Sequence, residues 1–260
     1  MTLFDGKKRI VVKVGTSTLT HKTGKTNIAR LAKLVSVLSD LKNEGHEVVL
    51  VSSGAVGIGA AKIGFVNRPE TTQGLQAAAA VGQCELMFLY DKMFSEYGVI
   101  VSQLLFTADT LENPLEKSNL LNTFTQLLEY DVLPIVNEND SVYVEELLNG
   151  DNDCLSANVA KLINADLLIL LTDTDGLYDD NPRTNADAKL ISRVDKITDE
   201  VFALAGEAGE SGTGGFVTKI KAAKIATDCG IPVVVMNGER PTSIYKVLEG
   251  KEIGTYFSAQ

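Results

Sequence analysis

The sequence contains no C-x-x-C motif, and its three cysteines, Cys84, Cys154 and Cys229, stand far apart. His21 and His46 lie away from all three. This excludes a zinc finger or ribbon and argues against a disulfide framework. Structural thiols in a reducing compartment are expected instead. No uninterrupted apolar run approaches the ~20 residues that span a bilayer, and "MTLFDGKKRI" lacks the apolar core of a signal peptide. The expectation is a soluble, cytoplasmic protein with no membrane partner. Basic residues are outnumbered: 24 Lys and Arg face 34 Asp and Glu, giving a net charge of −10 and a pI near 4.8. Nucleic-acid binding leaves a basic footprint, so no nucleic-acid partner is expected. A small anionic ligand stays open, because a few lysines focus a local positive field.

A Walker loop is also missing. Gly24-Lys25-Thr26 has the right triplet, but G-x-x-x-x-G-K-[ST] needs a glycine at position 19, where Leu19 stands. The strand-like "RIVVKV" ends too far upstream to feed such a loop.

What is present is a regular alternation of short apolar strands and helices. "RIVVKV", "EVVLVSS", "VIVSQLLF", "VLPIV", "DLLILLT" and "IPVVVM" read as buried strands, with shorter ones at "KLISRV" and "GTYF". Between them, Asn27 caps a helix ended by Gly45, and "GAVGIGAAKIG" is a glycine-rich turn opening a helix. Thr71 or Thr72 starts a long helix stopped by Gly98. Further helices are expected at 115–130, 154–165, 198–205, 216–229 and 242–249, with a hairpin or flap at 141–153. This pattern predicts an α/β fold, a three-layer αβα sandwich around a mostly parallel sheet. Ligands of such folds sit at the carboxyl ends of the strands.

Polar residues gather where those strands end. Lys13 interrupts a strand fit for burial, and two readings stand: it pairs with an aspartate, or it meets phosphate. Gly54, Gly57 and Gly59 follow the second strand, either as a close-approach anion site or as a tight turn needing small residues. "NEND", residues 137–140, and "DND", residues 151–153, suit an amine or metal site, or plain turn and N-cap chemistry. No EF-hand pattern is present. Asp173 and Asp175 fit ribose or metal, or an Asx-turn before Gly176. Five glycines between 206 and 215 precede a helix carrying Lys219, which fits a phosphate-closing loop.

In order, "VVKVGTSTLT", "VSSGAVGIGAAKIG", "AAVGQCELM", "VLPIVNENDSV", "GDNDCLSANVA", "LLILLTDTDGLYDDNPRTN" and "GTGGFVTKIKAA" resemble the amino acid kinase family, and within it the glutamate 5-kinase branch. The resemblance implies the amino acid kinase fold and transfer of the ATP γ-phosphoryl group, with Mg²⁺, to the side-chain carboxylate of L-glutamate. It implies Lys13, Lys219 and Asp153 as catalytic residues. Ser53, Asp140 and Asn152 would bind glutamate, Asp140 at the ammonium and the other two at carboxylates. ATP would be held by Lys13, Gly15, Gly54, Thr172, Asp173 and the run Thr213, Gly214, Gly215, Phe216, Val217, Thr218 and Lys219. Lys25 becomes a solvated loop residue. Proline as feedback inhibitor, a homo-oligomer, and glutamyl phosphate reductase as pathway partner are further implications. Many members carry a C-terminal PUA domain, whereas this chain stops after "GTYFSAQ". The expectation is therefore one kinase domain over 1–260 without a PUA domain. Leu121 stands where the family often has arginine. Two alternatives remain: a kinase of the same fold acting on another amino acid or carbamate, and a non-catalytic ligand-binding protein.

Overall fold

The structure, a computed structural model, describes residues 6–21, 23–142, 152–182, 184–206 and 215–260. Strands β1 (Arg9–Val14), β2 (Glu47–Ser52), β3 (Val101–Phe106), β4 (Leu133–Glu138), β5 (Leu167–Thr172), β6 (Arg193–Val194), β7 (Val233–Asn237) and β8 (Thr255–Phe257) form one sheet. Its order is β3-β4-β2-β1-β5-β7-β8-β6. All neighbours run parallel except β7 and β8. The helices are α1 (Thr16–Leu19), α2 (Ile28–Asn43), α3 (Ala55–Ile63), α4 (Thr72–Ser95), α5 (Ala108–Glu112), α6 (Pro114–Glu129), α7 (Asp153–Leu162), α8 (Asp199–Leu204), α9 (Phe216–Thr227) and α10 (Ser243–Leu248).

Strand alternation assigns the two faces. Ile10, Val12 and Val14 of β1 pack with Leu31, Leu38 and Leu86 from α2 and α4. Val11 packs with Leu155, Val159, Ile220 and Ala223 from α7 and α9. The result is the expected three-layer αβα arrangement. Lys13 follows Val11 by two residues, so it points to the α7/α9 face. β1 lies between β2 and β5, with Lys13 level with Val51 and Leu170. The chain crosses from one side of the sheet to the other at β1, which is where a crevice opens in such folds.

Local signals behave as their chemistry dictates. Asn27 accepts from Arg30 N–H at the start of α2, Thr71 accepts from Gly74 N–H at α4, and Asn113 caps α6 ahead of Pro114. The strand expected at "KLISRV" shrinks to Arg193–Val194, with Leu190 making only a bridge to Tyr178. Helices α1 and α5 arise where loops were expected. Most of the flap expected at 141–153 lies outside the described residues, as do Thr213, Gly214 and most of the loop at 206–215.

Gly59 serves packing, not ligand approach. A Cβ there would stand 1.8 Å from Ala78 O, and one on Gly82 would stand 1.7 Å from Ala55 O. Helices α3 and α4 therefore meet backbone to backbone. Gly59→Ala and Gly82→Ala should each lower stability by at least ~1–3 kcal/mol through overpacking. Gly57→Ala meets only Thr16 Cγ2 at 3.7 Å and should hold or gain stability, since alanine favours helix. Urea midpoints of the three variants test this; equal midpoints would refute the close helix contact.

Candidate active site

The site grows from the carboxyl ends of β1, β2, β4 and β5 and the first turns of α3, α7 and α9. Lys13 is 4% exposed and Asp153 is fully buried. Their Nζ and Oδ1 atoms lie 2.5 Å apart. Lys219 Nζ lies 3.0 Å from Asp153 Oδ2, and Thr218 Oγ1 donates to the same oxygen at 3.0 Å. The aspartate reading of Lys13 is met, and that aspartate also holds a second lysine. The three charged groups sum to +1, which favours an anion beside them. Gly15 follows Lys13 directly, and a Cβ there would come within 3.8 Å of the Lys13 ammonium. Phe216 and Val217 open α9 after Gly215, and the N–H groups of a first helical turn have no partner within the helix. Thr172 ends β5, its hydroxyl donating to the exposed Asp173 at 3.2 Å. Thr172 O accepts from Gly238 N–H at 2.8 Å, which ties β5 to the end of β7.

A cleft of ≈ 550 Å³ lies beside this cluster, and its walls include Ser53, Gly54, Gly57, Arg68, Asn137, Asp140 and Asn152. Gly54 has φ +102°, a left-handed conformation that favours glycine, and opens α3. The first turn of α3 therefore aims free N–H groups at the cleft, as an anion receptor. Asp140 lies on another wall. Burial raises its carboxyl pKa from 3.8 to about 6, and the Arg68 guanidinium partly offsets this. The cleft therefore offers donors from α3 and Ser53 together with an acid. That polarity suits a zwitterion.

Asn152 occupies the N-cap position of α7 without capping it. Its Nδ2 donates instead to Ser52 O at 2.9 Å and to Asn137 Oδ1 at 2.6 Å. Asn137 Nδ2 donates to Gln83 Oε1 at 2.8 Å. Ser52 Oγ and Tyr90 OH, both buried, share a hydrogen bond of 2.9 Å.

All predicted site residues that the structure describes gather around this edge. Lys13, Gly15, Asp153, Thr218 and Lys219 belong to the charged cluster and its border. Ser53, Gly54, Asp140 and Asn152 belong to the cleft. Gly215, Phe216 and Val217 sit at the start of α9, and Thr172 and Asp173 at the end of β5. Lys25 is exposed, as expected. Sequence reasoning did not assign roles to Arg68, Asn137 or Gln83. Asn137 and Gln83 had signals, in the "NEND" cluster and the family-like run "AAVGQCELM", whereas Arg68 sat in a run without one.

The amino acid kinase family model matches residues 8–237. The chain belongs to the amino acid kinase family. Curated relatives include glutamate 5-kinases of Clostridium perfringens, 53% identical over 97% of this chain and 96% of theirs, and Clostridium tetani, 51% identical over 97% and 95%. One from Listeria monocytogenes serotype 4b is 49% identical over 97% and 94%. Solved structures with a similar fold include UMP kinases from Bacillus anthracis (TM-score 0.65, 17% identity, 97% and 96% coverage) and Ureaplasma parvum (0.67, 16%, 97% and 99%). At such identity these show the amino acid kinase fold alone.

The Asp140 carboxyl makes a testable contribution to stability. Its pKa is raised on folding, so the native state binds the proton more tightly than the unfolded chain. The charged form then weakens the ligand-free fold above about pH 6, and the penalty vanishes below the unfolded pKa near 4. Asp140→Asn should therefore be more stable than the unaltered protein at pH 7, by ~1–3 kcal/mol. The gap should close by pH 4. Paired urea titrations at the two pH values measure it, and a gap that widened on acidification would contradict the assignment.

Proposed function

We propose that the protein transfers the γ-phosphoryl group of ATP to the side-chain carboxylate of L-glutamate, giving L-glutamyl 5-phosphate. The observation that carries this reading is the two-ended cleft beside the lysine pair, in a chain about half identical to glutamate 5-kinases along nearly its full length. Glutamate fits with its ammonium at Asp140 and its carboxylates at Ser53 and the first turn of α3. The γ-carboxylate oxygen attacks the γ-phosphorus, the bond to the β–γ bridging oxygen breaks, and ADP leaves. Little covalent help is needed from the protein, so positioning and charge neutralisation carry the rate. Lys13 and Lys219 face the transferring group, and Asp153 holds both ammoniums in register. Gly15, Gly54, Thr172, Asp173 and the segment 213–219 cradle the nucleotide.

Among the described residues, no group of three or more His, Cys, Asp or Glu is placed to hold a metal ion. Magnesium, which dehydrates reluctantly and favours phosphate oxygens, fits as a companion of the ATP phosphates. It supplies charge neutralisation there.

The product belongs to proline biosynthesis in this reading. An acyl phosphate hydrolyses readily, which favours hand-over to glutamyl phosphate reductase in the cytoplasm. Among the described residues no helix is long and apolar enough to cross a membrane. A kinase domain spanning the family-matched residues 8–237, assembled as a homo-oligomer, completes the proposal.

ADP release, with hydroxylamine trapping the acyl phosphate as its hydroxamate, should require ATP, magnesium and free L-glutamate. Equal turnover of N-acetylglutamate or aspartate would defeat the substrate assignment. Proline should compete with glutamate, and inhibition that saturating glutamate cannot relieve would place it elsewhere.

The lysines and Asp140 should separate kinetically. Lys13→Ala and Lys219→Ala should lower kcat about a hundredfold or more, since charge on the transferring group peaks in the transition state. Asp140→Ala should raise the glutamate KM more than it lowers kcat, because the ammonium contact exists in ground and transition states alike. Abolished kcat with unchanged KM in Asp140→Ala would reverse the roles.

A further inference from the structure

We infer that Gln83 on α4 is a positioning residue that forces Asn152 to present only its carbonyl oxygen to the cleft, so that Asn152 recognises the substrate's ammonium and not a carboxylate. The inference rests on the proposed function and replaces the expectation that Asn152 meets a carboxylate.

Two backbone groups of fixed character settle the amide directions. Ser52 O can only accept, so the Asn152 atom 2.9 Å from it is the Nδ2 donor. Glu138 N–H can only donate, so the Asn137 atom 3.0 Å from it is the Oδ1 acceptor. The second Asn152 hydrogen then goes to that same Asn137 oxygen, at 2.6 Å. With both hydrogens of Asn152 engaged by protein, its Oδ1 is the side-chain polar atom left for a ligand, and Asn152 borders the cleft. An acceptor facing the cleft repels a carboxylate and attracts an ammonium.

Asn137 would be free to tilt out of this arrangement if its own Nδ2 had no acceptor. Gln83 Oε1 supplies one at 2.8 Å. Gln83, Asn137 and Asn152 are all nearly buried, so solvent is a poor substitute, and an unmet amide at that depth is costly. The chain of amides runs from α4 through the end of β4 to the start of α7. It sets the acceptor character of Asn152 as part of the fold, before any ligand arrives.

The test uses the purified chain with L-glutamate, and with glutarate, which keeps both carboxylates but lacks the ammonium. Gln83→Met removes the acceptor at similar volume. It should raise the glutamate KM roughly tenfold, the order expected for losing a charge-linked hydrogen bond. The ATP KM should stay in place, and the preference for glutamate over glutarate should shrink by a similar factor. Gln83→Glu retains an acceptor and should restore the preference. A folded Gln83→Met with unchanged preference overturns the inference, whereas an unaltered protein that fails to turn over glutamate overturns the substrate reading and this one with it. Should Gln83→Met not fold, the unaltered protein still decides. Its Asn152 side-chain amide must exchange with solvent far more slowly than that of exposed Asn67, with and without glutamate. Exchange at the Asn67 rate refutes the amide directions.

Discussion

The site depends on one buried carboxylate. Asp153 is fully buried, and an isolated charge at that depth would be strongly unfavourable. It is tolerable because Lys13 and Lys219 reach it from β1 and α9, and Thr218 donates to it as well. Removing either lysine weakens the compensation of a buried charge, and removing the aspartate sets two ammoniums side by side. The three residues come from the centre of the sheet, the start of α7 and the start of α9. Their mutual attraction therefore fixes those elements relative to one another. The surplus positive charge of the trio then favours an anionic group beside it, in a chain whose net charge is −10.

Adjacency carries the next step. Asn152 and Asp153 are consecutive, yet one borders the cleft and the other holds the lysines. The first turn of α7 thus stands between the cleft and the lysine pair, which in the proposed reading separates the acceptor from the phosphates. Asn152 gives up the usual capping bond to do this, and its side chain binds the end of β2 through Ser52 O. The start of the helix is held by sheet contacts instead. A group bound against Asn152 is brought next to the charge of Lys13 and Lys219 by the length of a single peptide unit. Proximity of this kind, together with charge neutralisation, is how an enzyme accelerates a reaction between two anions.

Much of this was legible in the sequence, for local reasons. β1, β2, β5 and β7 are short runs of β-branched and aliphatic residues, and their burial on both faces follows from that composition. Asn27 and Thr71 mark helix starts through side-chain caps, and Gly45 and Gly98 lie in left-handed conformations just beyond helix ends. What could not be read depends on distant partners. Gly59 read equally as part of an anion site or of a tight turn needing small residues, because its contact with Ala78 joins two helices and leaves no local pattern. α1 was invisible because Thr16–Leu19 is too short for helical periodicity to register. The two readings of Lys13 could not be separated because its partner, Asp153, is 140 residues away in the chain.

The direction of an amide is the clearest case of information that only the fold holds. Asparagine carries a donor and an acceptor of nearly equal shape, so residue type alone leaves its ligand preference open. In this protein the choice is made by a carbonyl at the end of β2, an N–H at the end of β4 and a glutamine on α4. None of the three is a charged or reactive group, and none lies near Asn152 in the chain. The Lys13–Asp153–Lys219 cluster draws on β1, α7 and α9, whereas the amide chain draws on β2, β4 and α4. In the proposed reading, the charge that serves phosphoryl transfer and the polarity that selects the acceptor are thus built from different elements and meet at residues 152 and 153. A substitution in the amide chain can then change which acceptor is held while leaving the lysine pair where it is.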